Sequence, residues 1–285
     1  MSVVGLGCSH LGAQRGGKTR AELVTLLEHA VDRGVTFFDT ADIYMAGESE
    51  RLLGEVLASH RARVVIATKV GLGWRLPPAV VAHARPYLWS LARRATTGSG
   101  VLRRFRGWFR RGDYSPGYLR AAVEASLSRL RTDRIDLLQL HSPTAAALDR
   151  DGALETLERL AAEGKIRFFG LGFGTAAQAQ HALGDGRRRF STLQIPVSRG
   201  VPATIDDLLA WAQARAIGVI ANQPLRGGEL LRAGGASTRH DGRRTLAQSA
   251  IRLAAGLPAV STVIVGTTSV THLDESVAAL DENTT

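Results

Sequence analysis

Four residues carry complementary proton chemistry. Asp39 and Tyr44 stand in Phe38-Asp39-Thr40-Ala41-Asp42-Ile43-Tyr44, Lys69 in Ala67-Thr68-Lys69-Val70-Gly71, and His141 in Leu138-Gln139-Leu140-His141-Ser142-Pro143. A tyrosine hydroxyl titrates at about pH 10 and is a poor acid at neutrality. A nearby ammonium stabilises the phenolate and lowers that value, and a carboxylate beside the ammonium keeps it charged and oriented. A histidine can hydrogen-bond a substrate oxygen or share the proton relay. Tyrosine, lysine, aspartate and histidine together make a tunable proton donor for a carbonyl oxygen. They include no obvious covalent nucleophile and no metal triad, so no metal is expected. A proton donor alone does not reduce a carbonyl, and the hydride must come from a cofactor. Taken singly, each residue has a plainer reading: helix cap, loop aromatic, surface lysine, core histidine.

Their positions make the set more than four separate residues. Short, apolar, β-branched runs recur at 3–6, 35–38, 64–67, 135–140, 166–171, 192–195, 218–221 and 263–265. Each is unalternating, as expected of strands buried on both faces. Amphipathic stretches fall between them at 20–32, 116–130, 154–162, 175–183, 205–214, 245–255 and 273–280. Eight strands alternating with helices predict an α/β fold, a single-domain (β/α)8 TIM barrel over residues 1–285. Asp39, Tyr44, Lys69 and His141 all follow strands, and in a closed barrel the C-terminal strand ends converge on one face. The competing open sheet would carry a glycine-rich dinucleotide fingerprint after its first strand. Gly5-Leu6-Gly7 lacks its third glycine.

A chain of 285 residues suits such a barrel, and 45% hydrophobic residues supply a large core. A single cysteine, Cys8, excludes an internal disulfide and fits a reducing compartment. No early apolar run follows a basic start and no stretch is long enough to span a membrane, so a cytoplasmic protein is expected. The net charge of +10 is concentrated in residues 72–113, which break the strand–helix rhythm. Arg93, Arg94, Arg103, Arg104, Arg106, Arg110 and Arg111 lie there among Trp89, Phe105, Trp108 and Phe109. A long basic loop after the third strand suits a lid or a specificity element. Nucleic-acid binding is the lesser reading of the same composition, and no nucleic-acid partner is expected.

The sequence resembles the aldo-keto reductase family. The resemblance is carried by residues 34–44, Gly-Val-Thr-Phe-Phe-Asp-Thr-Ala-Asp-Ile-Tyr, and 47–54, Gly-Glu-Ser-Glu-Arg-Leu-Leu-Gly. Thr68-Lys69-Val70-Gly71, Leu140-His141-Ser142-Pro143, Gly164-Lys165-Ile166-Arg167 and Val263-Ile264-Val265-Gly266 extend it along nearly the whole chain, outside the basic insertion. The resemblance implies an NADP(H)-dependent oxidoreductase that interconverts an alcohol and an aldehyde, ketone or keto-sugar. Tyr44 would be the proton donor, with Asp39, Lys69 and His141 as its partners. NADPH is the first choice of cofactor, ahead of NADH. Alternatives are a non-catalytic, cofactor-sensing barrel and a redox-neutral enzyme with a retained nicotinamide. The substrate is expected to be a small carbonyl compound, anionic or a sugar derivative.

The family pattern also implies cofactor contacts. Gln194 matches a carboxamide contact. Where members place Ser-Asn after the fifth strand, this chain has Gly172-Phe173, and where many carry a stacking tyrosine it has Asn222. Pro224, Leu225 and Gly228 resemble the loop over the diphosphate. Gly266, Thr267, Thr268 and Ser269 can present hydroxyl and N–H groups to a phosphate at a helix start. Glu275 matches an adenine contact, and His272 stands where many members have Arg or Gln. Cys8 and His10 are read as pocket or packing residues.

Overall fold

Runs rich in valine and isoleucine favour extended backbone, and their apolar side chains on both faces require cover from two sides. A computed structural model describes residues 1–12, 17–74, 110–150, 152–183, 189–198, 204–234 and 244–281. Its barrel strands are β1 (Val4–Gly7), β2 (Phe37–Asp39), β3 (Val65–Val70), β6 (Ile135–His141), β7 (Ile166–Gly172), β8 (Thr192–Pro196), β9 (Gly218–Asn222) and β10 (Val260–Val265). They close in the order β1-β10-β9-β8-β7-β6-β3-β2, every neighbouring pair parallel. The helices α1 (Arg20–Asp32), α2 (Glu48–Val56), α3 (Pro116–Leu130), α4 (Ala145–Arg150), α5 (Ala153–Ala162), α6 (Ala176–Leu183), α7 (Thr204–Ala214), α8 (Glu229–Gly234), α9 (Leu246–Ala255) and α10 (Val270–Val277) complete the (β/α)8 barrel. No helix among the described residues is long and apolar enough to cross a membrane.

The strand boundaries differ from the sequence reading in an instructive way. The second strand begins at Phe37, two residues later than expected, because the Val35 N–H donates back to the Ala30 carbonyl and closes the end of α1. Lys69 lies inside β3, and Asp39 and His141 are the last residues of β2 and β6 rather than loop residues. The short helices α4 and α8 were not anticipated.

Side chains alternate between the two faces of each strand. Phe37, Ala67, Leu137, Ile220 and Ile264 pack together as one apolar cluster, the plug of the barrel interior. Two residues further along the chain from four of these stand Asp39, Lys69, Gln139 and Asn222, all still on their strands, and Gly266 follows the end of β10. The period of two therefore turns a polar layer inward directly above an apolar one. The larger core cluster, including Leu6, Phe38, Ile66, Leu138 and Leu140, fills the space between strands and helices.

Residues 72–113 start and end as an antiparallel pair, β4 (Leu72–Trp74) and β5 (Arg110–Gly112), with Leu72 opposite Gly112 and Trp74 opposite Arg110. Of the basic and aromatic cluster in the 72–113 insertion, read as a lid or specificity element, all but Arg110 and Arg111 lies outside the described residues.

Helix α2 docks unusually close to α3. A Cβ on Gly54 would lie 2.4 Å from the Leu130 carbonyl carbon and 2.6 Å from the Arg129 carbonyl oxygen. Both obstacles are backbone and cannot rotate aside. Gly54→Ala is expected to destabilise the fold by about 1–3 kcal/mol, the usual range for overpacking, as read by urea unfolding. An unchanged unfolding midpoint would contradict this packing.

Candidate active site

The polar layer is organised around Lys69. Its ammonium donates to Asp39 Oδ1 at 2.6 Å and to the Thr40 carbonyl at 2.9 Å, and it hydrogen-bonds the Tyr44 side chain. Asp39 and Lys69 are 4% and 3% exposed, so the ion pair is nearly dehydrated. Burial opposes the Lys69 charge, but Asp39 and Tyr44 outweigh it and hold the lysine above its ordinary pKa. Burial raises Asp39 from its usual value, against the opposing pull of Lys69. The second Asp39 oxygen accepts from Gln194 Nε2 at 3.4 Å.

Tyr44 and His141 meet edge to face, with ring centroids 6.1 Å apart and an interplanar angle of 89°. The Lys69 ammonium stands 5.3 Å from the Tyr44 ring centroid. All four residues singled out by their chemistry therefore converge at the C-terminal rim. His141 is steadied from outside the set. The Tyr114 hydroxyl reaches the carbonyl oxygens of His141 and Ser142 at 2.8 and 3.0 Å. Burial, with smaller contributions from Tyr118 and Asp42, raises Tyr114 far above an ordinary phenol and keeps it a donor. Sequence reading missed Tyr114, which follows the basic insertion and has no motif of its own.

Other expected site residues are spread over the same rim. Gly172 pairs in register with both His141 and Gln194. A Cβ there would be 3.6 Å from Gln194 Oε1 and 3.7 Å from Lys69 Cε, so Gly172 leaves the rim open beside both. Phe173 is buried in the larger core cluster. Gln194 Oε1 and Asn222 Oδ1 are buried with no hydrogen-bond partner among the described residues. Two inward acceptors of this kind suit a ligand that donates N–H groups.

Pro224, Leu225 and Gly228 lie in the turn between β9 and α8, which runs through left-handed backbone at Gln223, Arg226, Gly227 and Gly228. The Arg226 guanidinium donates to Ser198 Oγ at 3.3 Å. Gly266, Thr267 and Thr268 lead from β10 to Ser269, the N-cap of α10, whose hydroxyl accepts from the His272 N–H. Thr267 Oγ1 accepts from the Ser269 N–H at 3.0 Å. His272 and Glu275 are exposed and three residues apart on α10, hence on one side of it. Cys8 and His10 follow β1; Cys8 is fully buried, and burial followed by Asp39 raises its thiol well above the ordinary range. His10 bonds Ser9 Oγ at 3.1 Å and lies near Gly266. Among the described residues no group of His, Cys, Asp and Glu could hold a metal ion.

A closed barrel with this rim matches a family model described as the aldo/keto reductase family over residues 3–243. The chain belongs to that family. Among curated relatives, the uncharacterized oxidoreductase YqkF of Bacillus subtilis is 33% identical over 60% of this chain and 44% of its own length. The 6-dehydroglucose reductase of Novosphingobium aromaticivorans is 34% identical over 75% of this chain and 62% of its own. The chain thus spans less than two thirds of either relative. Among solved structures, an aldo/keto reductase from Klebsiella pneumoniae in complex with NADP and acetate is 26% identical, with a TM-score of 0.72. The match covers 98% of this chain and 86% of that one.

Proposed function

We propose that this aldo/keto reductase family member is an NADP(H)-dependent oxidoreductase interconverting a small carbonyl compound and its alcohol, with Tyr44 moving the proton. The observation that carries the reading is the buried Lys69 ammonium, fixed by Asp39 at 2.6 Å and hydrogen-bonded to Tyr44. A cation so placed stabilises phenolate and makes the hydroxyl a usable acid near neutrality. His141, edge-on to Tyr44, orients the carbonyl oxygen toward that hydroxyl. Asp39 holds Lys69 charged and in place.

The residues present fit a nicotinamide dinucleotide. Gln194 Oε1 and Asn222 Oδ1 are the buried acceptors that a carboxamide N–H group would satisfy. Pro224, Leu225 and Gly228 would hold its diphosphate. Gly266, Thr267, Thr268 and the Ser269-capped start of α10 offer donors to a phosphate, and Glu275, with His272 beside it on α10, would meet the adenine end. Bound there, the cofactor supplies the hydride. The Klebsiella relative's complex with NADP supports this choice.

The test is fluorescence titration with NADPH, followed by NADPH oxidation against a panel of aldehydes, ketones and keto-sugars. The name of the Novosphingobium relative puts an oxidised glucose first on that panel. Binding followed by carbonyl-dependent oxidation is expected. Binding with no oxidation by any carbonyl would favour a regulatory barrel, and no binding would sink the reading.

A further inference from the structure

We infer that Glu50 is a positioning residue, whose buried carboxylate ties the strand that carries Lys69 to the turn that carries Tyr44. The inference rests on the proton-transfer reading of those two residues. Glu50 is in the first turn of α2 and has no exposed surface. One of its oxygens accepts from the Thr68 hydroxyl at 2.6 Å, and Thr68 is the residue before Lys69 on β3. The other accepts from Arg129 Nε at 2.6 Å, and Ser126 on the same helix holds the guanidinium at 3.0 Å.

Arg129 in turn lies against the Tyr44 turn. A Cβ on Gly47 would be 2.8 Å from Arg129 Cδ and 3.1 Å from its Nε. Gly47 closes the single turn Tyr44–Gly47, in which Met45, Ala46 and Gly47 all have left-handed backbone, with φ of 53°, 57° and 87°. Two non-glycine residues in that region persist only where their surroundings over-determine them. Here the surroundings are visible on both sides. Met45 packs over Gly12, where a Cβ would fall 2.7 Å from its Cε, and Arg129 backs Gly47. Tyr44 is the first residue of this clamped turn.

The path from Lys69 to Tyr44 through Thr68, Glu50, Arg129 and Gly47 therefore runs behind the site and parallel to the direct hydrogen bond across it. An apolar pair could fill the same space and stabilise the fold equally well. It could not hold two directional bonds, one to each carrier of the site. The charged and titratable groups facing Glu50 are Asp42 and Arg129, with Lys69 beyond Asp42 and Tyr114 and Tyr118 facing Asp42.

The test compares Thr68→Val, which removes one hydroxyl at nearly constant shape, with Glu50→Gln. Asp136→Asn serves as a control. Asp136 belongs to another largely buried pair, with Arg61 at 2.7 Å, at the opposite end of the barrel where β3 and β6 begin. Ultraviolet difference titration, run with and without Tyr44→Phe in each background, isolates the Tyr44 hydroxyl. It is expected to move to higher pH in Thr68→Val and further in Glu50→Gln as the ammonium slips from the phenol. Turnover of the best carbonyl should fall roughly 10- to 100-fold with KM and NADPH affinity unchanged, the size of a misplacement of about an ångström. Asp136→Asn should lower Tm yet leave the titration in place. A Tyr44 titration and turnover unmoved in Thr68→Val would overturn the inference, as would losses that follow Tm alike in all three variants. If Glu50→Gln does not fold, Thr68→Val decides alone. Wild-type turnover in Tyr44→Phe would instead overturn the proton-transfer reading, and this inference with it.

Discussion

Tyr44→Phe is expected to lower turnover roughly 10²–10⁴-fold, the range of a lost general acid, while NADPH still binds with wild-type affinity. The change deletes one oxygen and keeps the ring. The edge-to-face contact with His141 at 6.1 Å belongs to the ring and survives. The hydroxyl's partner, Lys69, keeps Asp39 and the Thr40 carbonyl, so its charge is not stranded. Stability should therefore change little while chemistry fails, and only that combination isolates a proton-transfer role. Steady-state kinetics beside a thermal melt and an NADPH titration measure all three. Turnover near wild type would sink the assignment, and equal loss of turnover and melting temperature would reduce Tyr44 to a packing residue.

Lys69→Met should fail in a different way, losing both activity and fold stability. The methionine fills most of the space but leaves Asp39 buried without its cation. Removing one partner of a buried pair costs about 3–5 kcal/mol. The deficit should depend on pH with a definite sign. Burial already raises Asp39, and without Lys69 nothing comparable opposes it. A carboxyl raised in the folded state binds its proton more tightly there than in the unfolded chain, where its pKa is about 3.9. The folded variant is then least penalised below that value and loses stability as pH rises through the raised one. Urea unfolding at acidic and neutral pH should show the gap to wild type narrowing on acidification. Lys69→Met/Asp39→Asn should recover most of the lost stability and none of the turnover. A gap independent of pH would mean that Asp39 is not the stranded group.

The barrel and its rim were legible in the sequence for one reason. Buried parallel strands announce themselves as β-branched runs, and the period of two then places Asp39 above Phe37 and Lys69 above Ala67 without any knowledge of long-range contacts. Boundaries were less legible, since the Val35 N–H belongs to the end of α1 and not to the strand that its side chain suggests. The pairings behind the site were not legible. Glu50 falls in the run 47–54 that carries the resemblance, but its partner Arg129 is 79 residues away, and their bond emerges only when α2 is seen packed on α3 through Gly54. Tyr114 reaches His141 across 27 residues and a strand change. Such contacts depend on how elements dock, a property that no local pattern encodes.

The antiparallel pair of β4 and β5 also bears on the site. Its two strands leave and rejoin the barrel side by side, and Tyr114 seals the junction. A Cβ on Gly71 would come within 2.4 Å of the Tyr114 ring. The strand pair is therefore seated directly on the residue that steadies the His141 backbone. A change at the foot of this strand pair is therefore expected to be felt first at Tyr114 and, through its hydroxyl, at the His141 carbonyl.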